Sequence, residues 1–282
     1  MITNICVTGA GTMGSGIALC AAQNGFPVIL FDSNEAVIEN AKKSIQKNLA
    51  NLLEKNKISE ADQSKILSQL IFTTNIQDCK ASLIIEAIIE KASAKIELFN
   101  QLAEINDANT IFASNTSSLS INLLQNNISN PERVAGLHFF NPAQIMKLVE
   151  VVKAEQTGDL VINILVDFCK RLNKIAVVCK DAPGFIVNRV ARHYYLEAMK
   201  LVENNLATME TVDEIMEASG FKMGPFKLMD LIGNDINLAV TQSLYDAFQE
   251  EHRFQPSVLQ INKVKNGELG RKTGKGFYDY NG

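Results

Sequence analysis

Three histidines are present, His138, His193 and His252. Only His138 falls at the carboxyl end of a predicted strand in the first half of the chain. Histidine exchanges a proton near neutral pH, and the carboxyl ends of strands are where open α/β sheets bind ligands. The ordinary use of a lone histidine is structural hydrogen bonding; position shifts the balance toward acid–base chemistry. Glu150 follows in the next predicted strand. A carboxylate there would orient the imidazole and stabilise its protonated form, or would be an exposed strand glutamate; spacing alone does not decide. Ser117, within Asn115-Thr116-Ser117-Ser118, also follows a strand. The cluster has the composition of caps and turns, and equally places a hydroxyl where it could reach a substrate oxygen. Asn188, in Gly184-Phe185-Ile186-Val187-Asn188-Arg189, comes just after a chain breaker. It either donates to a substrate carbonyl or is a first-turn helix residue.

These side chains need a scaffold, and its start is explicit. The run Ile5-Cys6-Val7-Thr8 leads into Gly9-Ala10-Gly11-Thr12-Met13-Gly14, a small-residue segment continues to Asn24, and Val28-Ile29-Leu30-Phe31 closes on Asp32. Strand, glycine turn, helix, strand, acid is the dinucleotide-binding pattern. Gly9 allows the tight turn, Gly11 lets a pyrophosphate approach the backbone, and Gly14 lets helix and sheet pack closely. The phosphates meet unpaired N–H groups at the positive end of the helix. Asp32 would accept from a ribose 2′-hydroxyl and repel a 2′-phosphate, which favours NAD over NADP.

The chain has 282 residues, 46% of them hydrophobic, with 27 basic and 31 acidic side chains and a net charge of −4. That is enough for one large or two medium domains, and it argues against a nucleic-acid partner. Cys6, Cys20, Cys79, Cys169 and Cys179 form no C-x-x-C pair, so we expect a reduced protein with no metal site. The first strand begins so early that no secretory leader is expected. No apolar run has the length of a membrane span. A cytoplasmic enzyme is the expectation.

The periodicity predicts a polar helix over 34–55, capped by Ser33 or Asn34, and a second from Ser59 to Leu70. Strands are expected at Ile71-Phe72, 83–87, 110–113, 134–138, 148–152 and 175–179, with helices over 91–105 and 157–172. Asp181-Ala182-Pro183-Gly184 breaks the pattern. Beyond it, helical periodicity covers 185–204, 209–219, 227–250 and 256–266, with no strand before the last few residues. The expected architecture is an α/β class chain: a Rossmann-like parallel-sheet domain over 1–183, with a helical insertion at about 34–70, and an all-α domain over 184–282.

Taken together, Gly9 to Gly14 with Asp32, Ala113 to Leu119, His138-Phe139-Phe140-Asn141-Pro142, Met146 to Val151, Pro183 to Arg189 and the tail Gly270 to Tyr280 resemble the short-chain L-3-hydroxyacyl-CoA dehydrogenases, in particular their bacterial 3-hydroxybutyryl-CoA branch. The match runs essentially from end to end. The resemblance implies that His138 acts as base toward the 3-hydroxyl of an acyl-CoA thioester, that Glu150 pairs with it, and that Ser117 and Asn188 hold the reacting oxygen and the thioester side. It places Glu90, Lys95, Asn141, Lys272 and Ser117 near NAD, and it makes Lys55 a candidate for the phosphates of coenzyme A. A family serine one or two turns earlier in that helix is Asn48 here. A homodimer formed through the helical domain is implied as well. The stretches 190–196 and 229–237 look closer to the 3-hydroxyadipyl-CoA dehydrogenases, where Arg192 or His193 could meet a distal carboxylate if either faces the substrate; an interface or surface charge is the commoner use of such residues. Two other readings keep the scaffold: a free-hydroxy-acid dehydrogenase, whose usual lysine base the His138 and Glu150 pair argues against, and a non-catalytic NAD-binding protein.

Overall fold

The structure, a computed structural model, describes residues 1–281. Gly282, the end of the expected second domain, lies outside the described residues. Internal contacts divide the chain into two compact units, Met1–Ala182 and the segment from Pro183 onward.

The first unit begins β1 (Ile5–Thr8), α1 (Thr12–Gln23), β2 (Val28–Phe31), α2 (Glu35–Glu54), α3 (Glu60–Ser68) and β3 (Leu70–Thr73). It continues β4 (Leu83–Glu86), α4 (Ala92–Ile105), β5 (Ile111–Ser114), α5 (Ile121–Gln125), β6 (Val134–Phe139), β7 (Leu148–Lys153), α6 (Asp159–Arg171) and β8 (Ile175–Lys180). The eight strands form one sheet in the order β3-β2-β1-β4-β5-β6-β7-β8. Every residue of β1, β4 and β5 is buried, as continuous apolar runs in a parallel sheet require. Chain order reverses between β1 and β4, so the crevice beyond their carboxyl ends is the switch point of the sheet.

The sheet is parallel through β6, and then the direction changes. β7 pairs antiparallel with β6, and β8 runs with β7. Residues 140–147 are the whole connection, shorter than the roughly dozen residues a parallel crossover takes. The chain must therefore turn back, and the register sets His138 directly opposite Glu150.

The helical insertion follows its pattern. Ile38, Ala41, Ile45 and Leu49 of α2 are buried, at helical spacing, and join the core that contains Ile17, Leu30 and Phe168. Asn34 caps α2 by accepting from the Ala36 N–H. Ser59 and Asp62 form a capping box on α3. The short α5, capped by Ser120, is absent from the sequence expectation, because its five residues give no usable period.

The second unit contains α7 (Val187–Glu203), α8 (Met209–Ala218), α9 (Pro225–Ile232), α10 (Asn234–Ala247) and α11 (Val258–Lys265). The continuous period over 227–250 hides a break. Gly233, at φ +105°, ends α9 and starts α10, a conformation open to glycine and strained for other residues. The tail has isolated bridges, Gly270 with Lys275 and Lys275 with Asp279, in place of a strand. No described helix is long and apolar enough to cross a membrane.

The glycine-rich tail is held by two buried carboxylates. Asp230 accepts from the Phe277 and Tyr278 N–H groups at 2.9 Å, from Asn234 Nδ2 at 2.9 Å and from the Tyr280 hydroxyl at 3.1 Å. Asp213 accepts from the Phe226 and Lys227 N–H groups, capping α9, and from the Tyr278 hydroxyl at 2.8 Å. A Cβ at Gly276 would lie 2.0 Å from Asp230 Oδ1, which explains the glycine there. Asp230→Ala would leave several buried donors unpaired, each costing about 1–3 kcal/mol. We expect a loss of on the order of 3 kcal/mol in urea unfolding followed by circular dichroism; a change below about 1 kcal/mol would contradict the clamp.

Candidate active site

At the carboxyl ends of β5 and β6 three side chains form a line. His138 Nδ1 lies 2.8 Å from Glu150 Oε2, and His138 Nε2 lies 3.0 Å from Ser117 Oγ. His138 is 4% exposed and Glu150 1%. An ionised carboxylate only accepts, so the Nδ1 position carries the proton and Nε2 presents a lone pair toward Ser117. The imidazole is also flanked by Phe140, at 4.6 Å between ring centroids. Of the two sequence alternatives for Glu150, the buried partner is the one found.

Ser117 sits in a turn held at both ends. Asn115 Oδ1 accepts from the Phe139 N–H at 2.8 Å, tying the end of β5 to the end of β6 beside His138. Glu90 Oε1 accepts from the Ser117 and Ser118 N–H groups, each at 3.1 Å, from the Ser118 hydroxyl at 2.9 Å and from the Thr116 hydroxyl. Burial opposes ionisation of Glu90, but the Lys95 ammonium at 3.1 Å and the Thr116 and Ser118 hydroxyls outweigh it and hold the carboxyl below its usual range. Lys95 is buried and also pairs with Glu86 at 2.6 Å. In the sequence, Glu86 is the one acid near the end of the apolar run Leu83-Ile84-Ile85-Glu86-Ala87. That placement, a charge in a fully apolar parallel run, was the available signal.

The first βαβ unit fits a dinucleotide. A Cβ at Gly14 would lie 1.7 Å from the Gly9 carbonyl oxygen, and one at Gly9 (φ +93°) 2.5 Å from the Ala87 carbonyl oxygen. A Cβ at Gly11 would meet nothing within 4 Å. Two glycines thus serve close backbone packing, and the third fronts open space at the start of α1. The opening amides of that helix, at Thr12 and Met13, have no intrahelical acceptor and suit a phosphate. Asp32 Oδ2 accepts from the Ala10 N–H at 2.9 Å and Oδ1 from the Asn34 N–H at 3.0 Å. Each oxygen keeps a further lone pair for a ribose hydroxyl. Asp32 therefore also clasps the glycine turn, a task its spacing did not reveal.

Other expected residues fall in varied settings. Asn141 is exposed and precedes a cis proline; its loop is pinned where Lys174 Nζ donates to the Ala143 and Met146 carbonyls at 2.6 and 2.7 Å. Lys55 is exposed and forms the C-cap of α2. Asn48 on the same helix donates to the Ser44 carbonyl. In the second unit Asn188 lies in the first turn of α7, and Lys272 pairs with Asp235 at 2.6 Å. Arg192 matches neither of its two expected uses. It is 3% exposed, and Nη1 donates to the Asn237 carbonyl and side chain and to Thr241 at 2.8–2.9 Å. Burial pulls its guanidinium down to about 10, and it serves the core of the helical unit rather than a distal carboxylate. His193 is exposed and lies against the Phe254 ring at 5.1 Å. Burial and the nearby Arg253 hold its imidazole below the ordinary range.

Cys6, Cys20, Cys79 and Cys169 are buried, away from reactants. Burial pushes Cys169 and Cys179 up to about 12, and hydrogen bonding to Cys79 with burial raises Cys6 well above normal. Such cysteines stay protonated and inert.

Comparison with known proteins agrees with this geometry. Residues 4–182 match the model of the 3-hydroxyacyl-CoA dehydrogenase NAD binding domain, and residues 184–280 match that of the 3-hydroxyacyl-CoA dehydrogenase C-terminal domain. The chain is 44% identical over 99% of its length to the 3-hydroxyadipyl-CoA dehydrogenase of Escherichia coli (strain K12), and spans 59% of that longer relative. It is 42% identical to the mitochondrial hydroxyacyl-coenzyme A dehydrogenase of Rattus norvegicus, covering 99% of this chain and 92% of the relative. The crystal structure of (S)-3-hydroxybutyryl-CoA dehydrogenase from Ralstonia eutropha superposes with a TM-score of 0.95 at 36% identity, covering 100% of both chains. Family models matched over both halves of the sequence, with relatives about 40% identical along its length, place this chain in the 3-hydroxyacyl-CoA dehydrogenase family.

Proposed function

We propose that the protein interconverts L-3-hydroxyacyl-CoA and 3-oxoacyl-CoA with NAD, on short acyl chains such as 3-hydroxybutyryl-CoA and acetoacetyl-CoA. The observation that carries this reading is the Ser117–His138–Glu150 line, with contacts of 3.0 and 2.8 Å. Family relatives named for 3-hydroxybutyryl-CoA support the short chain.

When bound, NAD supplies the hydride acceptor for oxidation and NADH the donor for reduction. His138 takes the 3-hydroxyl proton at Nε2 in oxidation and returns it to the forming alkoxide in reduction. Glu150 holds Nδ1–H, fixes the tautomer and stabilises the imidazolium. Ser117 donates to the reacting oxygen. Gly11, Thr12 and Met13 receive the pyrophosphate on a turn shaped by Gly9 and Gly14, and Asp32 the ribose, with Glu90, Asn141 and Lys272 assigned to the cofactor by family resemblance. On the same basis Asn188 meets the substrate carbonyl and Lys55 the coenzyme A phosphates. The first unit is the NAD-binding domain, and by the same resemblance the helical unit forms a homodimer. The protein works in the cytoplasm without nucleic-acid or membrane partners.

The test is loss of NADH absorbance with acetoacetyl-CoA, 3-oxoadipyl-CoA and free acetoacetate. We expect turnover of acetoacetyl-CoA and none of free acetoacetate. A marked preference for 3-oxoadipyl-CoA would favour the dicarboxylyl reading, which the name of the Escherichia coli relative supports; the engaged Arg192 supplies no reader for it. NADH binding without turnover of any substrate would leave a non-catalytic role.

A further inference from the structure

We propose that Glu86 is a positioning residue for Ser117, acting through Ser114 and through Lys95 with Glu90. The proposal rests on the reading of Ser117–His138–Glu150 as the reaction centre and extends it to a side chain that cannot touch substrate. Glu86 ends β4, is fully buried, and lies in register with Ser114 of β5. Its Oε1 accepts from Lys95 Nζ at 2.6 Å and from the Ile88 N–H at 2.7 Å. Its Oε2 accepts from the Ser114 hydroxyl at 2.6 Å.

Two routes leave this carboxylate and meet at the same turn. In the first, Ser114 Oγ donates to Glu86 and accepts the Thr116 N–H at 3.2 Å, fixing the residue before Ser117. In the second, Lys95 bridges Glu86 to Glu90, and Glu90 accepts the Ser117 and Ser118 N–H groups. The backbone of Ser117 is thereby held from both sides, and its Oγ rests 3.0 Å from His138 Nε2. Burying an acid and an amine costs solvation that apolar residues of the same volume would avoid. A fully bonded network does supply fixed geometry, which a proton-transfer site needs to within a fraction of an ångström. Lys95, expected beside the cofactor, has its ammonium engaged by two carboxylates and 1% exposure. It acts on Glu90.

The experiment is a double-mutant cycle on the full chain. The single-turnover rate of acetoacetyl-CoA reduction, the NADH Kd and the Tm are measured for wild type, Glu86→Gln, Ser117→Ala and the double variant. We expect Glu86→Gln to slow the single turnover about tenfold, with the NADH Kd within about twofold of wild type. In the Ser117→Ala background the same change should cost less than about twofold, because the group being positioned is gone. Equal losses in both backgrounds would show a general structural role and overturn the proposal, as would an unchanged rate. Should Glu86→Gln fail to fold, Glu86→Gln with Lys95→Met removes both buried charges together and enters the same cycle. Absence of turnover in the wild-type protein would remove the dehydrogenase reading and this proposal with it.

Discussion

Replacing His138 with glutamine should lower the turnover of acetoacetyl-CoA by about a thousandfold, the middle of the range for a lost general acid–base group. Glutamine keeps a polar side chain of similar reach, so the Ser117 turn should persist. It cannot take or return a proton near neutral pH. Binding of NADH is expected to change by less than about twofold, because the residues assigned to the pyrophosphate and ribose lie at the ends of β1 and β2 and not on β6. The decisive comparison is therefore rate against affinity, by steady-state kinetics and fluorescence titration. Loss of both together would mean that His138 supports the fold; loss of neither would mean that proton transfer occurs elsewhere.

Two alanine substitutions in one glycine motif should behave in opposite ways. Gly14→Ala would place a Cβ 1.7 Å from the Gly9 carbonyl oxygen and 2.9 Å from its carbon. Both are backbone atoms of the glycine turn, so relief requires α1 to move away from β1. Overpacking of this kind costs about 3 kcal/mol, on the order of 5–10 °C in Tm for a unit of this size, and NADH binding should fall with it. Gly11→Ala meets nothing within 4 Å, at φ −66°. Its Tm should stay within about 1–2 °C of wild type, while NADH binding weakens because the methyl occupies the approach of the pyrophosphate. Thermal unfolding with and without NADH separates the two. A wild-type Tm for Gly14→Ala, or undiminished binding by Gly11→Ala, would contradict the division of labour drawn from the packing.

The glycine turn, Asp32 and the change of character at Asp181 to Gly184 were legible because each is a local signal. A strand of four apolar residues, a tight turn and a capped helix are specified by neighbours in sequence. The same holds for α2 and α3, whose caps and buried stripe sit at the expected positions. The break at Gly233 was not legible, since an apolar period of 3.6 continues across it and a single φ of +105° carries no signature beyond the glycine itself.

Residue types along the chain set the chemistry available: one histidine at a strand end, a carboxylate in the next strand, a hydroxyl after β5 and a phosphate-binding turn. Which of these groups meet depends on how the strands pair. Glu150 reaches His138 because the short connection forces β7 antiparallel, and that register sets the two residues opposite each other. Glu86, twenty-eight residues from Ser114, joins the site only through sheet pairing. Arg192 leaves the list of substrate readers because α7 turns it inward, onto Asn237 and Thr241. Residue type and short-range spacing are written along the chain, whereas pairing between strands and the facing of a helix depend on contacts whose partners lie far away in sequence.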